Sequence, residues 1–351
     1  MNLPQITSPH AHGHNSTGDV MRTVLIATIP GIIALTHFFG IGTIYNILLA
    51  SMTALVCEAV ILKLRHRPVG FYLRDYSALV TAVLLGIALP PYCPWWLVVV
   101  GTSIAIVIAK HLYGGMGYNP FNPAMVGYVV LIISFPIDMT TWAAPSNILE
   151  EGQSLIGPIS ALGRIFLDTP FDAFSGATPL DLFKHQDGKT IQQIYNDEAL
   201  FSQARWAGAG WEWVNLAFLA SGVYLIYKKI FTWHAPVAML AGLSIASIIF
   251  YDNGSSESGG SLIFHLLSGG TMLGAFFIVT DPVTSATSRL GKLIYGGSIG
   301  VLIYIIRAWG NYPDGVAFAV LLMNFAAPFI DYYTVPRSYG HEKSRVVIKK
   351  D

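Results

Sequence analysis

Apolar runs recur along the chain at intervals that suit membrane helices. Ten of them, near 20–39, 42–63, 76–90, 95–112, 123–137, 212–231, 234–251, 261–280, 291–308 and 314–331, are long enough or nearly long enough to cross a bilayer. The third, fifth and tenth are short, and several are cut by Gly or Pro. One long polar segment, roughly Ile137 to Trp211, separates five runs from five. The pattern predicts an all-α polytopic membrane protein with about ten transmembrane helices. Its parts are a tail over 1–19, a five-helix unit over 20–136, a loop over 137–211, a second five-helix unit over 212–331 and a basic tail over 332–351. The two units echo each other. Thr81–Pro91 resembles Thr271–Pro282, and Gly117–Pro136 resembles Gly310–Pro328. Because five is odd, the units must be inverted repeats, a pattern that places binding sites where interrupted helices meet near the midplane.

Composition agrees with that picture. The 351 residues are 53% hydrophobic and 11% charged, with mean hydropathy +0.55; soluble domains carry about 25% charged residues. The first 19 residues are polar, so a cleavable signal is not expected. Within them His10, His12 and His14 read as part of a flexible tail rather than a metal site. Net charge is zero, which argues against a nucleic-acid partner. Alternating sides from a cytoplasmic N-terminus puts fifteen of the 20 Lys and Arg residues inside, among them Arg65, Arg67, Lys110, Lys229, Arg289 and Lys343. Trp95, Trp96, Trp142, Trp206, Trp211, Trp213 and Trp309 then gather at the outer boundary as an aromatic belt. The acidic loop faces outward. Cys57 and Cys93 form no CxxC and cannot by themselves hold an iron–sulfur cluster or zinc, so redox chemistry here needs an organic cofactor.

The outward loop contains Asp172-Ala173-Phe174-Ser175-Gly176-Ala177-Thr178-Pro179-Leu180. Thr178, Pro179 and Asp181 form a good helix start, with Thr as N-cap, Pro first and an acid three residues after the cap. Ser175-Gly176-Ala177 would be the turn leading in. A threonine at such a start, flanked by small residues, has an approachable hydroxyl, and a helix N-terminus favours a phosphate. Structural and chemical readings both fit the spacing.

At these residues the chain resembles a known family. Asp172, Ser175, Gly176, Ala177 and Thr178 are similar to the motif on which a flavin transferase esterifies FMN to threonine in the RnfD/NqrB family of ion-translocating electron-transport complexes. Two further segments match in position and wording: Gly114–Pro123, with Asn119 and Asn122, and Thr280–Ser288, with Asp281. The resemblance implies a bacterial inner-membrane subunit with both termini cytoplasmic and the Thr178 loop periplasmic. It implies FMN on Thr178, held through Asp172, Ser175, Gly176 and Ala177, and in addition riboflavin. It implies partners as well: other membrane subunits, a second flavin subunit, iron–sulfur subunits and the surrounding lipid. The complex would couple ferredoxin and NAD redox chemistry to Na⁺ or H⁺ movement, with no complete active site in this chain.

Asn119, Asn122, Thr280 and Asp281 are candidates for an ion or flavin site; as single residues they equally read as turn initiators and caps. Glu58 lies in an apolar run, where an acid is costly, and Lys63 is close enough to pair with it. His265 fits an interfacial position after a Gly/Ser-rich stretch. The competing function, favoured by inverted repeats alone, is a solute channel or transporter, which has no use for the Ser175–Thr178 motif.

Overall fold

Helices form where the apolar runs lie. The computed structural model describes residues 16–149, 155–167, 175–185, 188–256 and 258–334. The first half contains α1 (Thr17–Phe39), α2 (Gly42–Leu64), a short α3 (Val69–Leu73), α4 (Ser77–Ala88), α5 (Trp95–Ser103, continuing as a π-helical stretch Ile104–His111) and α6 (Pro123–Ser134). The polar segment folds as α7 (Pro136–Thr140), β1 (Trp142–Ala143), α8 (Pro158–Leu167), β2 (Ser175–Gly176), α9 (Pro179–Lys184), α10 (Ile191–Asp197) and α11 (Ala199–Ser202). The second half contains α12 (Trp211–Tyr227), α13 (His234–Ile249), α14 (Leu262–Leu267), α15 (Thr271–Leu273, continuing as a π-helical turn Gly274–Ile278), α16 (Arg289–Trp309) and α17 (Val316–Thr334).

The chain is mostly helical. By length and composition α1, α2, α16 and α17 can each cross a membrane. Large apolar side chains such as Ile33, Met52, Ile245 and Phe325 lie on the outside of the bundle, where a water-soluble fold would leave only small apolar patches. The eighth apolar run differs from expectation. It is two helices, α14 and α15, separated at Ser268–Gly270, because Gly269 takes φ +58° and Ser268 is extended. Ser175 and Gly176 are also not a turn. They pair antiparallel with Ala143 and Trp142 as a two-residue sheet.

The polar segment has its own small core, in which Leu180, Phe183, Ile194 and Phe201 pack on Phe264 of α14. Elsewhere the two halves interlock, α1 packing on α12 and α6 on α17; within the halves α4 packs on α6, and α17 touches the π-helical turn of α15. Helix α6 thus joins the short α4 to the full-length α17, which also reaches the π-helical turn of α15. Histidines 10, 12 and 14, the basic tail beyond Thr334, and Asp172 lie outside the described residues.

Helices α13 and α16 pack very closely. A Cβ on Gly296 would strike the carbonyl of Ala235, and one on Gly300 the carbonyl of Met239. Small residues four apart let the backbones approach, as in membrane helix pairs generally. Gly300→Leu is expected to lower the melting temperature of the purified protein, since overpacking costs about 1–3 kcal/mol. Gly297→Ala is the control: its Cβ would sit 3.9 Å from the Ala238 carbonyl, an ordinary contact. Equal melting of the two variants would show that the glycine face does not set this pairing.

Candidate functional site

Thr178 is the N-cap of α9. Its φ/ψ of −73°/159° is extended, its Oγ1 accepts from Asp181 N at 3.2 Å, and Pro179 occupies the first helical position. At six residues α9 is too short to build much of a dipole. Its position comes from packing. Leu180 and Phe183 are buried, Lys184 Nζ donates to the Tyr312 carbonyl at 2.6 Å, and a Cβ on Gly208 would lie 2.6 Å from Pro179 Cγ. Burial pulls the Lys184 pKa below its ordinary value, with Asp181 acting in the opposite direction. Ser175 and Gly176 are half-buried in the small sheet, while Ala177 is exposed beside Thr178.

Thr178 lines a cavity of about 100 Å³ between the halves, walled by Trp142, Trp211, Phe218, Met125, Tyr128 and Asp314 among others. Phe39 meets Trp142 edge-on at 6.1 Å and Trp211 at 4.9 Å, so the aromatic wall is itself fixed by packing. A polar hydroxyl at the rim of an aromatic enclosure suits a ligand with an ester-forming group and a flat ring system. The space admits part of such a ring system and not a whole flavin.

A second cavity of about 940 Å³ opens at the other end of the same helices. Val20 and Val24 of α1 line it, whereas Leu35 lines the Thr178 cavity; on α4, Thr81 and Leu84 line it and Ile87 the other. Asn119, Asn122, Thr280 and Asp281 all lie in its wall. Asn122 caps α6, accepting from Met125 N at 3.2 Å, and its Nδ2 reaches Asp281 Oδ2 at 3.4 Å. Asp281 accepts from Val283 N and from the Thr284 hydroxyl, as a turn-capping acid does. Thr280 bonds back to the Phe276 carbonyl, and Asn119 to that of Phe121. Each group thus has a capping partner, and each still borders the same cavity. Its charged groups are mainly basic: Lys110, Lys229, Arg289 and Lys292 against Asp281. The two cavities come close at adjacent residues: Ala124 lines one and Met125 the other, Phe277 one and Ile278 the other. Phe277 also packs edge-on against Phe218 at 5.7 Å, closing the gap.

A profile of the NQR2, RnfD, RnfE family matches residues 5–340. The chain belongs to this family. It is 59% identical over 346 residues to the D-type subunit of the ion-translocating oxidoreductase complex of Cellvibrio japonicus (strain Ueda107), covering 98% of this chain and 97% of that protein. The corresponding protein of Ectopseudomonas mendocina (strain ymp) is 58% identical, with 98% of this chain and 97% of that protein covered. That of Pseudomonas aeruginosa (strain PAO1) is 55% identical, with 98% of each covered.

Several buried polar residues of this family member either gave no sequence signal or have partners other than those their sequence positions suggested. Asn215 Nδ2 lies 3.0 Å from the carbonyls of Trp211, Leu267 and Gly269, and its Oδ1 accepts from Met272 N at 3.1 Å. Arg307, which its sequence position would leave at the outer surface, is buried. It donates to His265 O, Ser268 O, Thr271 Oγ1 and Asp314. His265 is likewise buried in α14, with Nε2 2.8 Å from the Gly259 carbonyl. Glu58 pairs with Lys110 in the π-helical stretch after α5 and not with Lys63. Glu212 is 2% exposed and accepts the backbone N–H groups of Arg205, Trp206 and Ala207 at 3.1, 2.8 and 3.2 Å. It thereby holds the strand of chain that seats Gly208 on Pro179. In Glu212→Ala those three amides lose their acceptor, at about 1–3 kcal/mol. Their hydrogen exchange is expected to quicken about tenfold or more, with α16 unchanged; unchanged exchange at 205–207 would contradict the role.

Proposed function

We propose that this chain is the D-type subunit of an ion-translocating oxidoreductase complex and carries electrons on FMN esterified to Thr178. The observation that carries the reading is the Thr178 hydroxyl at the rim of the aromatic cavity between the halves, within the Ser175–Thr178 motif. Bound FMN supplies one- and two-electron redox chemistry, and the protein supplies attachment, orientation and electrostatics. Gly176 and Ala177 leave the hydroxyl approachable because their side chains are small. Trp142 and Trp211 offer flat apolar faces, and the packing of Leu180 and Pro179 fixes where the oxygen stands. Asp172 belongs to the same motif.

The larger cavity is the proposed seat of a second, non-covalent flavin, riboflavin, since its size lies in the range of cofactor pockets. Asn119, Asn122, Thr280 and Asp281 would bind its edge or a coupling cation. Charge asymmetry favours the Thr178 end at the periplasmic face of a bacterial inner membrane and the basic cavity at the cytoplasmic face. The packing of α1 on α12 and α6 on α17 supports about ten spans in two inverted repeats of five, with α4, α6 and α15 as the interrupted members. Ferredoxin and NAD as redox partners, Na⁺ or H⁺ as the ion, further membrane, flavin and iron–sulfur subunits, and a flavin transferase for maturation complete the proposal.

The test is the fluorescence of the denatured chain in a gel after purification. Wild type is expected to fluoresce as a flavoprotein. Thr178→Ala is expected to lose that fluorescence entirely while remaining inserted, because loss of an N-cap costs only about 1 kcal/mol. A fluorescent Thr178→Ala band would overturn the attachment site.

A further inference from the structure

A costly arrangement of buried ionisable groups lies away from Thr178. Glu58 of α2, with Lys110 and His111 of the π-helical stretch, is buried at 2–3% exposure. Lys110 Nζ donates to both Glu58 oxygens at 2.8 and 2.9 Å, and to Ser77 Oγ at 2.8 Å. Ser77 Oγ in turn donates to Asp75 Oδ1 at 2.6 Å, and Ser77 N donates to the same oxygen at 2.7 Å. On the far side His111 Nε2 stands 3.5 Å from Glu58 Oε1, too long for a good hydrogen bond, and it has no other partner among the described residues. One carboxyl group therefore faces two bases. A line of proton-bearing groups runs from partly exposed Asp75 through Ser77, Lys110 and Glu58 to buried His111.

Stability alone gives little reason for this. Replacing a buried ion pair by apolar residues is often neutral or stabilising, and ionisable groups at membrane depth are usually functional. The local backbone is unusual as well: Lys110 and His111 end the π-helical stretch Ile104–His111, and such stretches are rare and concentrate at functional sites.

We propose that Asp75, Ser77, Lys110, Glu58 and His111 form a proton relay that loads His111 from the end of the molecule opposite Thr178. The transfer balances without any redox partner. Lys110 gives a proton to Glu58, and Glu58 passes one to His111 Nε2. Asp75 is first protonated by a hydronium ion from solvent; it then gives that proton to the Ser77 oxygen as the Ser77 hydroxyl turns and gives its own to the Lys110 amine, which reverses the resting direction of both hydrogen bonds. The net change is one proton moved from solvent to His111, leaving Glu58 an anion between two cations.

The charged and titratable groups around the relay come from several elements. Around the cavity that Ser77 and Lys110 line, Lys229, His234, Arg289 and Lys292 supply basic groups and Asp281 an acid. From α6 comes Tyr128, at the Thr178 cavity. From α2 come Glu58, Lys63 and Cys57, the last 3.6 Å from Ser103 Oγ. The relay concerns proton entry and holds whichever group occupies the cavity, so it stands or falls apart from the flavin assignment.

Infrared difference spectra of the full-length chain in lipid nanodiscs, recorded after a pH step, test it. Wild type is expected to show an imidazole protonation band coupled to a carboxylate band. His111→Gln removes both. Asp75→Asn keeps their amplitude and slows their appearance about tenfold or more. An unchanged spectrum in His111→Gln, or wild-type kinetics in Asp75→Asn, overturns the relay. Because Asp75 is partly exposed, its kinetics decide the question even where His111→Gln fails to fold.

Discussion

Backbone groups freed at a helix break have no water to turn to inside a bilayer, and satisfying them is the constraint on which this structure depends. The break between α14 and α15 shows how strict it is. Asn215 reaches the carbonyls of Leu267 and Gly269, Arg307 reaches those of His265 and Ser268, and Asp314 accepts from Gly270 N at 2.9 Å. Elsewhere Asn46 Nδ2 meets the Pro90 carbonyl at 2.8 Å, and Asn122 and Asp281 cap the breaks at the opposite end. Buried polar side chains are placed to meet these groups. They cost desolvation individually, and leaving the backbone unpaired would cost more.

That solution also makes the cavities. Helices that stop short of full length leave space where their ends meet, and the residues that cap the ends line it. Pro313 and Asp314 thus border the Thr178 cavity, and Asn122 and Asp281 border the larger one. The capping and ligand-binding readings of Asn119, Asn122, Thr280 and Asp281 are therefore not exclusive. The two cavities lie back to back, divided by Met125, Ile278 and the Phe218–Phe277 pair.

Much of this was legible along the chain. The apolar runs located the helical regions to within a few residues, because burial in lipid needs only continuous apolar sequence. The Thr178 cap and the Pro179 helix start were legible too, since both depend on residues three apart. What stayed hidden depends on contacts distant in sequence. Glu58 suggested Lys63 by proximity, but helix packing delivers Lys110, 52 residues away. Arg307 counts as an outer charge by position, yet the fold buries it beneath the α14–α15 break. The split of the eighth run turns on the left-handed Gly269, which composition does not distinguish from other membrane glycines. Asn215 and Glu212 lie at the start of an apolar run and carry no motif. Only the position of the backbone groups they satisfy explains them.

That Thr178 anchors the redox group of this protein is tested most directly by peptide mass spectrometry of the native chain, purified without denaturation or alkali. The peptide containing Thr178 is expected to carry the added mass of FMN less one water, with fragmentation assigning it to the Thr178 oxygen. An unmodified Thr178 peptide, or the same mass on a different residue, would contradict the attachment.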